Sequence, residues 1–356
     1  MDGSERQVFR GVLIGCGYFA QNHMHGWADA SGAEIVAVCD TDSRKAAATA
    51  AKFNIGKSYC DAATMLAAET PDFCDVVTTV ESHRPLVELS LGHGATTICQ
   101  KPFAQTYGDG AAMVAAAQAA QKPLLVHENF RWQLPLMALK RALDEGAVGG
   151  PTFARISFRH GYDVYANQPY LAKTEKFAIM DVGLHLFDVV RYLLGDSMDI
   201  HCRLQSLKPG IAGEDAFVAT LRQKNGTVVV VDCSFHSKIV PDPFPQTECW
   251  VEGMDGTLEV TGDYRLRLHK DGAVTDTPVD PDVPAWGARP WHAVQASVAA
   301  FQAHVVDVLR GEATPQPSGA HNLETLAMGL AAYRSADTGR SVDLEEFIAE
   351  GAALSQ

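Results

Sequence analysis

Positive charge is scarce in this chain. Its 356 residues carry 29 Lys and Arg against 43 Asp and Glu, a formal net charge of −14, and no Lys/Arg cluster offsets the acidity. The phosphates of a nucleic acid would be repelled from such a surface, which excludes nucleic acid as a partner and leaves solubility as the plain reading of the charge. Paired cysteines are lacking too. The eight cysteines are scattered, none closer than fourteen residues to the next, with no CxxC. Cys39, Cys99 and Cys233 sit in apolar strand-like runs and are expected as buried thiols in a reducing compartment. No apolar run approaches the roughly 18 residues needed to span a membrane. The opening MDGSERQ is polar and unlike a signal peptide. The expectation is a cytoplasmic protein with no membrane partner.

What remains is an ordinary globular composition, 47% hydrophobic and 20% charged, in a chain long enough for two domains. From Val8 to about Glu128, the apolar runs VLIG, IVAVC, DVVTTV (75–80), TTICQ (96–100) and LLVHEN (124–129) alternate with alanine-rich stretches such as SRKAAATAAKF. That alternation predicts a parallel sheet covered on both faces. Beyond residue 130 the rhythm changes. A helix and a strand lead to an irregular loop, GYDVYANQPYLAKTEKF, then to long strands with Asn-Gly and Asp-Gly hairpin signals at 225–226, 255–256 and 271–272. The predicted organisation is a dinucleotide-binding domain over 1–129 and an α/β domain with a large, mostly antiparallel open sheet over 130–356, whose C-terminal helices can pack back on the first domain.

The stretch VLIGCGYFA followed by EIVAVCD is the fingerprint of a dinucleotide site: strand, glycine turn, helix start, second strand, carboxylate. Gly15 serves the tight turn and Gly17 a close approach to the pyrophosphate. Ala20 is small enough for the helix to pack on the strand. Backbone N–H groups near Tyr18, Phe19 and Ala20 face the diphosphate from a helix N-terminus. Asp40, twenty residues past Ala20, is placed for a ribose diol. A 2′-phosphate beside that carboxylate would meet repulsion of about 1–4 kcal/mol, so NAD is expected over NADP, although Arg44 and Lys45 can partly offset the charge. Further candidate cofactor contacts are Thr79, Val80, His83, Gln100 and Asn129.

Two places carry residues suited to chemistry. Lys101 ends the strand TTICQ, and ligands bind outside the carboxyl ends of such strands. It can face the cofactor and stabilise a developing alkoxide, or it is simply a solvated strand-end lysine. Asp181 and His185 stand at i and i+4 on IMDVGLHLFDVVRYLLG, a stripe that Asp188 and Tyr192 extend. The stripe is either the wet side of an amphipathic helix or a site in which His185 accepts a proton and Asp181 orients it. Arg131, Arg159 and Asp163 are candidates for binding substrate hydroxyls, within an aromatic and basic set that includes Phe130, Trp132, Tyr162, Trp286 and Trp291. His23-x-His25 has no third ligand nearby, so no metal is expected.

Taken in order, Gly15 to Ala20, Gln100-Lys101-Pro102 and Asp181-x-Gly-x-His185-x-x-Asp188 resemble the family of glucose–fructose oxidoreductase and inositol dehydrogenase along the whole chain. The resemblance implies a Rossmann domain plus an α/β domain whose open sheet face makes a dimer or tetramer. It also implies a cis bond at Lys101–Pro102 and a catalytic set of Lys101, Asp181 and His185. The family usually has Glu where this chain has Gln100; the amide can still bond the nicotinamide ribose. A narrower likeness, through ICQKPFA, HENFRWQ, GYDVYANQPYL and RPWH, is to a branch that oxidises D-apiose. The implied reaction is NAD-dependent oxidation at C1 of a cyclic aldose to its lactone. The alternatives are an inositol or another aldose as substrate, an NAD-dependent glycosidase, or a dinucleotide-sensing regulator.

Overall fold

Alternating apolar and alanine-rich runs at the start of the chain become a parallel sheet in the computed structural model, which describes residues 7–353. Strands β1 (Phe9–Ile14), β2 (Ala33–Cys39), β3 (Ser58–Tyr59), β4 (Phe73–Val76), β5 (Thr96–Gln100) and β6 (Leu124–His127) lie in the order β3-β2-β1-β4-β5-β6. All five pairings are parallel. β4, β5 and β6 are buried along their whole length, as a sheet with helices on both faces requires. Those helices are α1 (Ala20–Asp29), α2 (Ser43–Lys52), α3 (Ala62–Glu69), α4 (His83–Gly92) and α5 (Tyr107–Ala120). Asp42, Asp61 and Thr106 start three of them by accepting a first-turn N–H. The run DVVTTV pairs only to Val76, because its partners end at Ile14 on one side and near Cys99 on the other. The chain then turns into a 3-10 segment, Val80–Ser82.

The described residues fall into two units, 7–128 with 298–323, and 129–297 with 324–353. Residues 298–323, numbered above with the second domain among the C-terminal helices able to pack back, group with the first sheet: the Val126 N–H donates to Pro317 O, and Arg310 reaches Ser31 O. A change of strand rhythm marks where a new sheet begins and says nothing of where later helices pack.

The second unit holds β7 (Pro151–Arg159), β8 (Ser197–Gln205), β9 (Ala216–Gln223), β10 (Val228–Ser234), β11 (Glu248–Gly253), β12 (Thr257–Thr261), β13 (Arg265–Lys270), β14 (Ala273–Pro278) and β15 (Val342–Asp343), in the order β14-β13-β12-β11-β7-β10-β9-β8-β15. β7 and β10 run parallel and every other pair is antiparallel. Asp271 and Gly272 both have positive φ between β13 and β14, the two-residue loop whose twist matches its strands. The remaining helices are α6 (Leu134–Asp144), α7 (Val164–Asn167), α8 (Leu184–Leu194), α9 (His292–Leu309), α10 (Gly319–Thr338) and α11 (Leu344–Ala353). The sheet's two faces differ. Ala154, Ile156 and Phe158 of β7, with Val229, Val231 and Cys233 of β10, are buried. Arg155, Arg159, Val218, Val228 and Trp250 alternate with them on a face left largely open. No helix among the described residues is long and apolar enough to cross a membrane.

Candidate active site

In the first unit the glycine turn between β1 and α1 has the shape a diphosphate needs. Gly15 has φ +97°, and a Cβ there would stand 2.4 Å from Val77 O, so no other residue fits. A Cβ on Gly17 would meet nothing within 4 Å, which leaves its backbone open to a ligand. α1 begins at Phe19 with no side-chain cap and no acidic residue in its first turn, so its N–H groups keep their capacity for an anion. Ala20 is fully buried against Leu13 and Val38, whereas Tyr18 is exposed. Asp40 accepts the N–H of Cys16 with one oxygen and that of Asp42 with the other, both at 2.8 Å. It thereby ties the turn to the end of β2, and each oxygen has a second lone pair for a ribose hydroxyl. Arg44 turns to Asp42 at 3.4 Å and is largely exposed. These residues fit NAD, which when bound brings an acceptor for a hydride.

At the ends of β4 and β5 the candidate contacts also hold the loops of their own unit. His83 is fully buried, with Nδ1 at 3.0 Å from Pro102 O and Nε2 at 3.2 Å from Thr78 O. Burial lowers its pKa, against the pull of those carbonyls. It binds one strand-end loop to the other. Thr79 and Val80 lead into and open the 3-10 turn. Lys101 is half-buried, and Lys101–Pro102 is cis as the resemblance implied. The Gln100 amide is engaged inside the unit at both ends, Oε1 accepting from Lys101 N (2.6 Å) and Nε2 lying 3.1 Å from His23 Nε2. His23 in turn has Nδ1 at 2.8 Å from Asp75 Oδ2, which also accepts from Trp27 Nε1 (2.7 Å). His25 packs on Phe53 instead. Among the described residues, no cluster of three or more His, Cys, Asp or Glu is placed to hold a metal. Asp75 went unremarked in the sequence, although a lone carboxylate in an otherwise apolar strand was a signal in plain view.

In the second unit Asp181 sits in a π-helical turn, Ile179–Gly183, that runs straight into α8. Such turns are rare and gather at functional sites. Glu214 holds its start: the carboxylate accepts the N–H groups of Phe177 (3.2 Å) and Ile179 (3.0 Å) and the hydroxyl of Tyr333 (2.6 Å). His185, on the first turn of α8, is 4% exposed and lies flat on Phe130, rings 4.0 Å apart and 2° from parallel. The stripe therefore does not face water; Asp188 is fully buried as well. Close to Asp181 lies His160, among Phe158, Phe235 and Phe244. Burial pushes its pKa down to about 4, against the opposing carboxylates of Asp242 and Asp181. Tyr162 stacks on Phe244 at 4.2 Å, with Trp291 edge-on to both. Arg289 and His292 bond Asp280 on either side of that tryptophan.

The structure separates the candidates for hydroxyl recognition. Arg131 grips Asp188 with two hydrogen bonds, at 2.7 and 2.5 Å, in a fully buried pair and covers Tyr192. Its charge fastens the turn after Asn129 to α8. Asn129 donates to Ser297 Oγ. Arg159 points to the open sheet face and meets Asp232 (3.2 Å), the opposite side from Phe158 and His185, because neighbours on a strand face opposite ways. Asp163 caps α7 and pairs with Lys208 in the open. Each of these three has a charged partner inside its own unit. Glu214 and His160 were missed; Glu-Asp at the start of a strand gives no hint of a distant helix end.

The comparisons with known proteins follow the same two-part layout. Residues 9–128 match the GFO/IDH/MocA oxidoreductase family, NAD-binding Rossmann fold, and residues 136–259 match the GFO/IDH/MocA C-terminal domain. D-apiose dehydrogenase of Paraburkholderia graminis is 48% identical over 97% of this chain and 92% of its own. D-apiose dehydrogenase of Rhizobium rhizogenes is 44% identical over 94% and 97%. The crystal structure of an oxidoreductase from Agrobacterium radiobacter, in complex with NAD+, L-tartaric acid and magnesium, superposes with a TM-score of 0.93 at 43% identity, over 95% of this chain and 99% of that one. With the cradle at Gly15 and Gly17, these matches show that the chain belongs to the GFO/IDH/MocA family of NAD-binding oxidoreductases.

Proposed function

We propose that the protein is an NAD-dependent sugar dehydrogenase that oxidises C1 of cyclic D-apiose to the lactone, which water opens to the aldonate. The observation that carries this reading is the 48% and 44% identity, over nearly the full chain, to two D-apiose dehydrogenases. The C1–H bond breaks with its electron pair, and bound NAD supplies the acceptor for that hydride. His185 takes the proton of the C1 hydroxyl as the carbonyl forms. Its ring plane is set by the stack on Phe130. Lys101 donates to the same oxygen as negative charge builds on it, and Asp181 orients His185 or a neighbouring hydroxyl from the π-turn. The open sheet face, with Val218, Val228 and Trp250 partly exposed, fits association into a homodimer or homotetramer.

The test is nicotinamide reduction by the purified protein, with NAD and NADP, across aldoses that include D-apiose and the inositols. A selective rate with D-apiose and NAD, and a lactone or aldonate product, is the expected result. Inositol oxidation instead would keep the chemistry and replace the substrate. Lys101→Ala is expected to cut turnover about 10²–10⁴-fold with NAD binding intact; unchanged turnover removes Lys101 from the reaction.

A further inference from the structure

The hydrogen bonds behind Lys101 can be read in one direction only. The backbone N–H of Lys101 can only donate, so the side-chain atom 2.6 Å from it is the amide oxygen of Gln100. The other end of that amide is an NH₂ group, which also only donates, and it lies 3.1 Å from His23 Nε2. His23 Nε2 must therefore be a bare acceptor. The ring proton sits on Nδ1 and goes to Asp75 Oδ2, 2.8 Å away, beside the indole N–H of Trp27. His23 is a neutral imidazole in a single tautomer, dictated from the Lys101 end. Its ring is fully buried. The titratable groups facing it are Asp75 on β4 and His127 on β6, whose ring centre is 4.0 Å off. Gln100 on β5 and Gln302 on α9 present amides, the latter to the His23 carbonyl.

Gln100 is also the last residue of β5 paired to β6. Lys101 leaves the sheet there, and its N–H is held by the preceding side chain instead of a neighbouring strand. The direction in which Lys101 departs thus depends on the Gln100 amide, and the amide on an unprotonated His23 Nε2.

We propose that Gln100 is a positioning residue that couples the protonation state of His23 to the placement of Lys101, with Asp75 and Trp27 as the fixed end of the relay. The functional half of this rests on the role given to Lys101 above. A proton on His23 Nε2 would set N–H against N–H at Gln100 and free the amide to turn away from Lys101. Gln100→Glu keeps an acceptor for Lys101 N and offers a second acceptor to His23, so it favours the doubly protonated ring. Gln100→Leu removes both bonds.

The experiment is ¹⁵N-histidine NMR of the whole protein, with the His23 ring N–H assigned by its Overhauser contact to the Trp27 indole N–H. In the natural protein His23 is expected as the Nδ1–H tautomer with a bare Nε2, under the conditions of the turnover assay. In Gln100→Glu, under the same conditions, both nitrogens are expected to carry protons. A protonated Nε2 in the natural protein, or the same state in both proteins, overturns the relay, and the first of these needs no variant to fold. Turnover of Gln100→Leu is expected to fall about ten- to a hundredfold, the scale of a displaced catalytic group, with the KM for NAD within about twofold. If Gln100→Leu turns over normally while Lys101→Ala does not, the positioning role falls and Lys101 stands. If Lys101→Ala turns over normally, the role of Lys101 falls, while the NMR result still decides the relay.

Discussion

The first unit holds its strand-end groups with a chain of hydrogen bonds, and the second holds its helix with charge. From Trp27 through Asp75, His23 and Gln100 to Lys101, the bonds in the first unit tie α1, which carries Trp27 and His23, to Asp75 on β4 and to Gln100 at the end of β5. The direction of each donor carries the information. In the second unit α8 is not sheet-bound. It is fastened by the buried Arg131–Asp188 pair, by Phe130 under His185, and by Glu214 at the start of the π-turn. The difference is one of vulnerability. A hydrogen-bond chain loses alignment when one member changes, whereas a buried ion pair loses stability, because the abandoned charge cannot reach water.

Breaking the pair should therefore give the largest effect on folding. Arg131→Ala leaves Asp188 buried and alone, and is expected to destabilise the protein by about 3–5 kcal/mol, measured by urea unfolding. The double variant Arg131→Leu/Asp188→Leu is expected to be more stable than either single change, since no charge is then stranded. If Arg131→Ala cost less than about 1 kcal/mol, well under the buried-pair scale, charge would not be what fastens α8.

The same division explains what could be read in the chain. Gly15, Gly17, Asp40 and the Lys-Pro at a strand end act through local backbone geometry, so spacing alone exposes them. The Asp271-Gly272 hairpin is legible for the same reason. The partner of Arg131 is 57 residues away, and no local pattern marks Asp188 as buried instead of wet. The π-turn is equally hidden, because no proline in IMDVGLHLF marks a change of pitch. Alternation in β7 was present all along: Arg155, Ser157 and Arg159 against Ala154, Ile156 and Phe158. Period two shows that there are two faces and not which one meets α8, so nothing in the sequence assigns Arg159 to one of them.

A smaller effect separates burial from pairing within the second unit. Burial holds His160 neutral, with its pKa pushed down to about 4, while in the unfolded chain a histidine titrates near about 6.5. Between those values the unfolded state binds more protons, so the contribution of His160 is intact above about pH 6.5 and is lost as the pH falls toward 4. From about pH 6.5 to 5 that amounts to about 2 kcal/mol. His160→Phe gives up the bond from Tyr162 N and should be less stable at pH 8, yet its unfolding free energy should change less over the acidic range. An unchanged slope would mean that other groups carry the acid sensitivity.

The smallest expected effect sharpens the comparison most, because it sets one arginine against another. Arg131 and Arg159 looked alike in the sequence as ligands for sugar hydroxyls. Arg159 is 41% exposed at its side chain and shares Asp232 with Arg155, so the carboxylate keeps a partner when Arg159 is removed. A part-exposed pair of this kind is worth about 0–1 kcal/mol. Arg159→Ala is accordingly expected to leave kcat and the sugar KM within about twofold, since a group on the far side of the sheet makes no bond to the reacting sugar. A tenfold rise in the sugar KM with kcat preserved would place Arg159 at the substrate after all. The open face would then be part of the site, and the two sides of the nine-stranded sheet could no longer be assigned separate tasks.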